Sequence, residues 1–357
     1  MTAADVLLVT RQYAMRWGGA EHSIAEVVEE LEAARPGIRL TVTDGGFDPP
    51  DRLRRLPLVS LARDRKRLRA LFSDGPVPRL VLAQSMVAPV IINALPERVP
   101  VAYFLRDVAY WDQWPNNETG ARRLAKAAYR LALAPFVRLF RRDNRRAMKR
   151  ADLLVANSSF MAERIREASM RDSLVVFPRT PVMAKPLAPG EVVGMAGDGA
   201  DKGGQMMRAL AKRFPEVRFR LHTRAAALDD APPNLVAAPW ERDPAKLYQG
   251  LRLMLVPSQV AEAYGRVALE AQGFGVPVLV SGVGGLPENV PGSLWRVEDY
   301  RSPDAWISAF EPAYRAAPEA REAAHAFAKR RRQEADRQHR ELILHLAGLI
   351  EHGRTGA

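Results

Sequence analysis

No cysteine occurs among the 357 residues. That excludes a disulfide framework and any thiolate metal site, and it leaves the redox compartment undetermined. No apolar run reaches the roughly 20 residues that a membrane-spanning helix needs. Met1 to Asp5 lead straight into a strand-like run, without the basic region and long apolar stretch of a signal peptide. The six histidines show no metal-ligand spacing. There is no solenoid-type repeat and no low-complexity tract. These absences predict a soluble cytoplasmic protein, one whose membrane contact would be peripheral.

What the chain does have is core-forming material and positive charge. At roughly 100–200 residues per domain, its length suggests two domains, and 47% hydrophobic residues let each bury a core. The net charge of +12 favours anionic partners: nucleotides, anionic lipid surfaces or nucleic acid. Nucleic acid is set aside, because no reader motif or stacking platform accompanies the basic residues. Short apolar runs alternate with helical patterns. Val6 to Val9, Leu80 to Ala83, Val101 to Phe104, Leu153 to Ala156 and Val175 to Phe177 read as buried strands of a first domain, 1–180. Pro181, Pro186 and Pro189, with Pro178 just before, mark a linker at 181–190. A second domain, 191–320, begins at Val192 and continues with strands at Val217–Leu221, Leu253–Val256 and Val276–Val280. The alternation predicts right-handed βαβ units and parallel sheets, an α/β fold of two Rossmann-like domains. A charged helix is expected from about Pro318 to Ile350, with Pro318 in its first turn.

Three stretches carry candidate chemistry. Gly194 to Gly204 follows a strand and precedes a helix. Its glycines permit close backbone approach, the helix start offers free N–H groups, and Lys202 adds a point charge for phosphate. The plainer reading is a glycine-rich turn with a solvated lysine. In the second stretch, Glu262 and Glu270 flank the Gly265–Arg266 turn after the Leu253–Val256 strand. Carboxylates there can accept hydrogen bonds from sugar hydroxyls, as an acidic residue does with ribose in dinucleotide folds. Two surface glutamates, or an acid–base couple for glycoside hydrolysis, are the competing readings. Arg266 and the glycine turn fit anion binding better than hydrolysis. The third stretch, Arg122 to Arg150, holds eleven Lys or Arg residues against Asp143 alone, with apolar residues interleaved. It is either a basic amphipathic surface for anionic lipid or an ordinary helix pair with an arginine-rich solvent face. Pro135 is expected to break or kink it.

Pro257-Ser258 through Glu270-Ala271, then Gly275 to Leu279 and Gly284-Gly285-Leu286-Pro287-Glu288, resemble the retaining family-4 glycosyltransferases, which have the GT-B fold. In that family two glutamates are separated by seven residues, as Glu262 and Glu270 are here. Gly18-Gly19-Ala20-Glu21, Ala151 to Ser158 and Asp201-Lys202-Gly203 are similar to its N-terminal glycine loop, a strand leading to a serine, and its phosphate-binding lysine turn. The resemblance implies two domains facing across a cleft, with the C-terminal helix, 321–357, packing back on the N-domain. It implies transfer of a sugar, with retention, from a nucleotide-diphosphate donor of UDP or GDP type to a hydroxyl acceptor. Glu270 would grip the ribose and Glu262 the donor sugar. Lys202 and the backbone around Gly265 and Arg266 would neutralise the diphosphate. Gly18, Gly19, Gly203, Ser258 and Tyr264 would complete the donor site.

There are two departures. Where the family usually has an arginine, five residues before the lysine, Gly197 stands, and Arg266 is expected to supply the charge. Where the family often has a histidine, Arg106-Asp107 follows a strand. Arg106 cannot serve as a base, with a pKa above about 12, but it can position a phosphate or acceptor, and Asp107 can orient it or accept from a sugar hydroxyl. Arg106 and Asp107 join Glu262 as the expected catalytic residues. No Asp-x-Asp motif is present, so no metal and no cofactor are expected. A non-catalytic nucleotide-sugar binder, or an epimerase or hydrolase on the same fold, are the alternatives.

Overall fold

The computed structural model describes residues 5–10, 19–43, 77–84, 88–107, 120–197, 199–224, 228, 231–241 and 243–353. They fall into two compact units. One runs to Phe177 and resumes at Arg337; the other is Pro178–Asp336.

The first unit is built from β1 (Val6–Val9), α1 (Gly19–Ala34), β2 (Leu40–Thr43), β3 (Leu80–Gln84), α2 (Ala88–Ile92), β4 (Val101–Leu105), α3 (Gly120–Arg150), β5 (Leu153–Ala156), α4 (Ser159–Ser169) and β6 (Leu174–Val175). Its strands form one parallel sheet in the order β2-β1-β3-β4-β5-β6. The inner strands are apolar on both faces because helices cover both, as a parallel sheet requires. Val6, Leu8, Leu80, Leu82, Ala102 and Phe104 form the core with Ile24 and Leu31 of α1.

The second unit holds β7 (Val192–Ala196), α5 (Gly204–Arg213), β8 (Phe219–Thr223), β9 (Leu235–Pro239), α6 (Pro244–Tyr248), β10 (Leu251–Val256), α7 (Arg266–Gly273), β11 (Val278–Ser281), β12 (Arg296–Val297) and most of α8 (Pro303–His352). This sheet is also parallel, in the order β12-β11-β10-β7-β8-β9. The chain lays β8 and β9 to one side of β7, then crosses to place β10 on the other side. The strand order therefore reverses between β7 and β10, where open α/β sheets bind ligands at their carboxyl ends.

The proline-rich stretch after Pro178 is held against this second unit. Met183 N–H donates to Gly273 O and Leu187 N–H to Phe274 O, both at 3.0 Å. Three edge strands, β2, β9 and β12, escape the sequence reading. They are short or polar-mixed, and β9 ends in Pro239, which a sheet tolerates at its edge.

One expectation about helices is corrected, and of the two outcomes expected at Pro135 the break does not occur. The C-terminal helix starts at Pro303, and Pro312 and Pro318 lie inside it. An interior proline loses a backbone hydrogen bond and costs about 3 kcal/mol or more. Burial holds the helix together: Trp306, Phe310, Ala313 and Ala317 pack into the second unit's core. Likewise α3 runs through Pro135 without ending. After that proline it is anchored by buried Phe140, Ala147 and Met148 and by the bond from Tyr103 Oη to Asn144 Oδ1 (2.8 Å).

The last turns of α8 belong to the first unit. Leu342, Leu346 and Ile350 enter its core cluster, and Arg79 donates to Ile350 O at 2.9 Å. Among the described residues, no helix is long and apolar enough to cross a membrane.

Candidate functional site

The expected donor-site residues of the second unit gather at the carboxyl ends of β7 and β10. The loop after β7 turns at Gly197, in the left-handed region with φ +88°, and reaches Gly203, the N-cap of α5, with φ +82°. A Cβ on Gly203 would lie 2.0 Å from Pro257 O, so only glycine lets this loop lie against the end of β10. The Gln259 N–H donates to Asp201 O at 2.7 Å and fastens the two loops together. Gln259 Nε2 in turn donates to Pro257 O (2.8 Å) and Tyr300 O (3.1 Å).

This stitching brings Lys202 to Glu262. Lys202 Nζ lies 2.9 Å from Glu262 Oε1, and Ser258 Oγ–H donates to the same oxygen. The Lys202 side chain is the most open of the site's charged groups, 44% exposed, against 20% for Glu262. The backbone of Glu262 is fixed as well. It makes a parallel bridge with Gly284, and Gly285 N–H donates to Glu262 O at 2.8 Å. A Cβ on Gly284, whose φ is +65°, would lie 2.4 Å from that same carbonyl.

Gly265, at φ +84°, caps α7. Glu270 lies one turn in. Arg266 Nε donates to Glu270 Oε1 and Tyr248 Oη–H to Glu270 Oε2, each at 3.3 Å. Arg266 and Glu270 are 19% and 20% exposed. Tyr264 is buried. Asn289 Nδ2 donates to Tyr264 O and Gln272 Nε2 to Asn289 O (2.6 Å), which secures the turn before the helix. Burial raises the phenol pKa of Tyr264, outweighing Arg331 and Arg266, which lower it.

The helix starts add to the electrostatics. Both α5 and α7 open at a glycine with no side-chain cap. Their first-turn N–H groups and positive dipole ends suit an anion. The arrangement can thus hold a negatively charged group near Lys202 and two helix starts, and present two carboxylates to hydroxyls. Among the described residues no cluster of three or more His, Cys, Asp or Glu could hold a metal ion.

The remaining expected residues stand in the first unit. Gly19 opens α1, and Gly18 lies outside the described residues. Arg106 and Asp107 follow β4. Arg106 is buried, with its guanidinium carbon 4.8 Å from the centroid of the Phe104 ring, a cation–π contact. Its carbonyl accepts from Asn157 Nδ2 at 3.4 Å. Asp107 is exposed. Ser158 caps α4 by accepting from Met161 N–H at 3.0 Å. His22 is half-exposed and lies 3.4 Å from Glu26.

Sequence reasoning missed Tyr248, Gln259, Gly284 in its bridging role, and Asn289. The first is a buried aromatic at the end of a five-residue helix, and nothing in its neighbours marks it as polar machinery. The glycine pair Gly284-Gly285 was visible, but its pairing with Glu262 is a tertiary fact.

Residues 234–348 match the family described as glycosyl transferases group 1. A D-inositol 3-phosphate glycosyltransferase of Corynebacterium glutamicum (strain R) is 38% identical over 87 residues, which take in 24% of this chain and 19% of that relative. The chain therefore spans about a fifth of the curated relative's length. Solved structures match over nearly the whole chain. HepE of Anabaena, crystallised with UDP and glucose, has a TM-score of 0.64 at 18% identity, over 96% of this chain and 99% of that one. Sucrose-phosphate synthase from Thermosynechococcus elongatus gives 0.65 at 14%, over 97% and 98%. WaaG, a glycosyltransferase involved in lipopolysaccharide biosynthesis, gives 0.63 at 16%, over 98% and 100%. The fold is GT-B.

The close approach at Gly203 yields a prediction. Gly203→Ala must place a Cβ against Pro257 O and adopt a left-handed φ, which alone costs about 1–2 kcal/mol. Thermal unfolding of the variant should show a clear drop in midpoint; an unchanged midpoint would mean that the loops are not held together as described.

Proposed function

We propose that this chain, which belongs with the group 1 glycosyl transferases by its matched C-terminal segment and its fold, moves a sugar from a nucleoside diphosphate to a hydroxyl acceptor, with retention and without a metal. The observation that carries this reading is the Lys202–Ser258–Glu262 cluster at the β7/β10 switch point, with Ser258, Glu262 and Glu270 inside the matched residues 234–348. The UDP and glucose in HepE belong to that protein; they support a UDP-type donor here.

In this reading Glu270 holds the ribose diol and Glu262 a hydroxyl of the donor sugar. The bond between the anomeric carbon and the phosphate oxygen breaks as positive charge grows on the sugar and negative charge on the diphosphate. Lys202 and the starts of α5 and α7 stabilise the departing charge, as fixed dipoles do best when pre-set. The acceptor hydroxyl forms the new carbon–oxygen bond on the same face and gives its proton to the leaving phosphate oxygen. Arg106 and Asp107 serve acceptor positioning. Gly203, Tyr264 and Gly265 shape the donor site through backbone and packing, and Gly18 and Gly19 are assigned to it by the resemblance alone.

The test separates the glutamates. Glu270→Ala should weaken nucleotide binding about tenfold or more, since it leaves a hydroxyl pair without its charged acceptor. Glu262→Ala should keep nucleotide binding and lose most transfer. A thermal-shift panel of UDP, GDP, ADP and dTDP sugars identifies the donor, and a labelled donor then reports the product, with the rate retained in EDTA. Free sugar or an epimer instead of a glycoside would favour the hydrolase or epimerase reading; nucleotide binding without turnover would favour a binding subunit. Full activity in both glutamate variants would sink the proposal.

We further propose peripheral contact between α3 and an anionic membrane from the cytoplasmic side. The support is a face with exposed Arg138, Arg141, Arg142, Arg145 and Arg146 together with exposed Leu131 and Leu139. Phosphatidylglycerol vesicles at low salt should float the protein, and Arg141→Glu with Arg145→Glu should abolish it. No flotation of the unaltered protein disposes of this contact.

A further inference from the structure

We propose that Tyr248 is a positioning residue for Glu270, and that Arg266 holds the other oxygen of the same carboxylate instead of serving as a phosphate cation. The inference rests on the donor-site reading above. Two helices meet at this carboxylate. Tyr248 ends α6, and its ring is buried against Phe274, with centroids 5.3 Å apart. Arg266 is the first residue of α7, and Glu270 lies one turn later on the same helix. The phenol donates to Oε2 and the guanidinium Nε to Oε1.

The two donors fix both ends of the carboxylate. A glutamate side chain has three rotatable bonds, and pinning it costs rotamer entropy. Tyr248 and Arg266 meet that cost within the fold, before a ligand arrives. Each oxygen has one partner here, and an ionised carboxylate offers about four acceptor sites. By that count the carboxylate can accept two further donors, the number a ribose diol supplies.

Burial, with the Glu270 charge behind it, holds the Tyr248 phenol well above its usual pKa. It remains a donor at neutral pH. Arg266 is engaged by Glu270. Its Nε donates to that carboxylate, and its side chain, at 19% exposed, is less than half as open as that of Lys202. Lys202, at 44% exposed, is the cation that faces solvent. The charge missing at Gly197 is therefore left to Lys202 and the helix starts.

The two roles give different binding signatures. A residue that orients Glu270 matters only for a ligand with ribose hydroxyls. A phosphate cation matters whether the hydroxyls are present or not. Isothermal titration of the full chain with UDP and GDP, and with their 2′,3′-dideoxy forms, reads this difference. The unaltered protein should prefer the ribose form of the nucleotide it binds. Tyr248→Phe, which keeps the buried ring, and Arg266→Gln should each cut that preference about five- to tenfold. Affinity for the dideoxy form should stay within about twofold.

If Tyr248→Phe leaves the preference intact, Tyr248 does not position Glu270. If Arg266→Gln weakens both forms equally, Arg266 is a phosphate cation and that half of the inference is wrong. Should Tyr248→Phe fail to fold, the Arg266→Gln ratio decides alone whether the carboxylate is held. Failure of the unaltered protein to bind either nucleotide would overturn the donor-site reading itself, and this inference with it.

Discussion

The backbone contact between Gly203 and Pro257 governs the site. Two loops leave neighbouring parallel strands, and they can lie this close only because one of them has no side chain at the point of contact. Everything of chemical interest follows from that approach. The Gln259 N–H finds the Asp201 carbonyl, and Lys202 reaches Glu262. Two helix starts then open toward a common region at the strand-order reversal. A strand pair, a glycine and one backbone hydrogen bond do the assembling, and the charged side chains are carried into place.

The charges so assembled balance. Lys202 is paired with Glu262 and Arg266 with Glu270, so the four sum to zero. Partly exposed pairs of this kind contribute little stability, and their value lies in orientation. An anion that reaches Lys202 competes with a carboxylate already there. The gain from binding is smaller than for a bare lysine, but the lysine is already aimed. The uncapped helix starts carry no such counter-charge.

Much of this was legible in the chain. Buried parallel strands show as short apolar runs, and Val6–Val9 and Leu153–Ala156 could be read residue for residue. The glycine turns were legible because close backbone approach restricts residue choice there, as at Gly203 against Pro257. Edge strands such as β9 and β12 were not legible, since half-exposed backbone tolerates almost any composition. The start of α8 was misread because a proline signals a helix start locally, while the burial of Trp306 and Phe310 that carries the helix through Pro312 and Pro318 is a tertiary effect. Tyr248 was invisible for the same kind of reason. Its ring looks like any core aromatic, and only the folded chain shows where the hydroxyl goes.

The closing turns of α8 carry a consequence for biosynthesis. Leu342, Leu346 and Ile350 pack with Val6, Leu8 and Leu80, so the first sheet shares its interior with the last turns of α8. Domains generally fold as units during synthesis, N-terminal first. Here the first sheet is made before those three residues of α8, and their places in its core stay unfilled while the whole second unit is made. The order of translation thus sets a waiting period for the first half of the molecule, during which apolar strands depend on dilution or on chaperones.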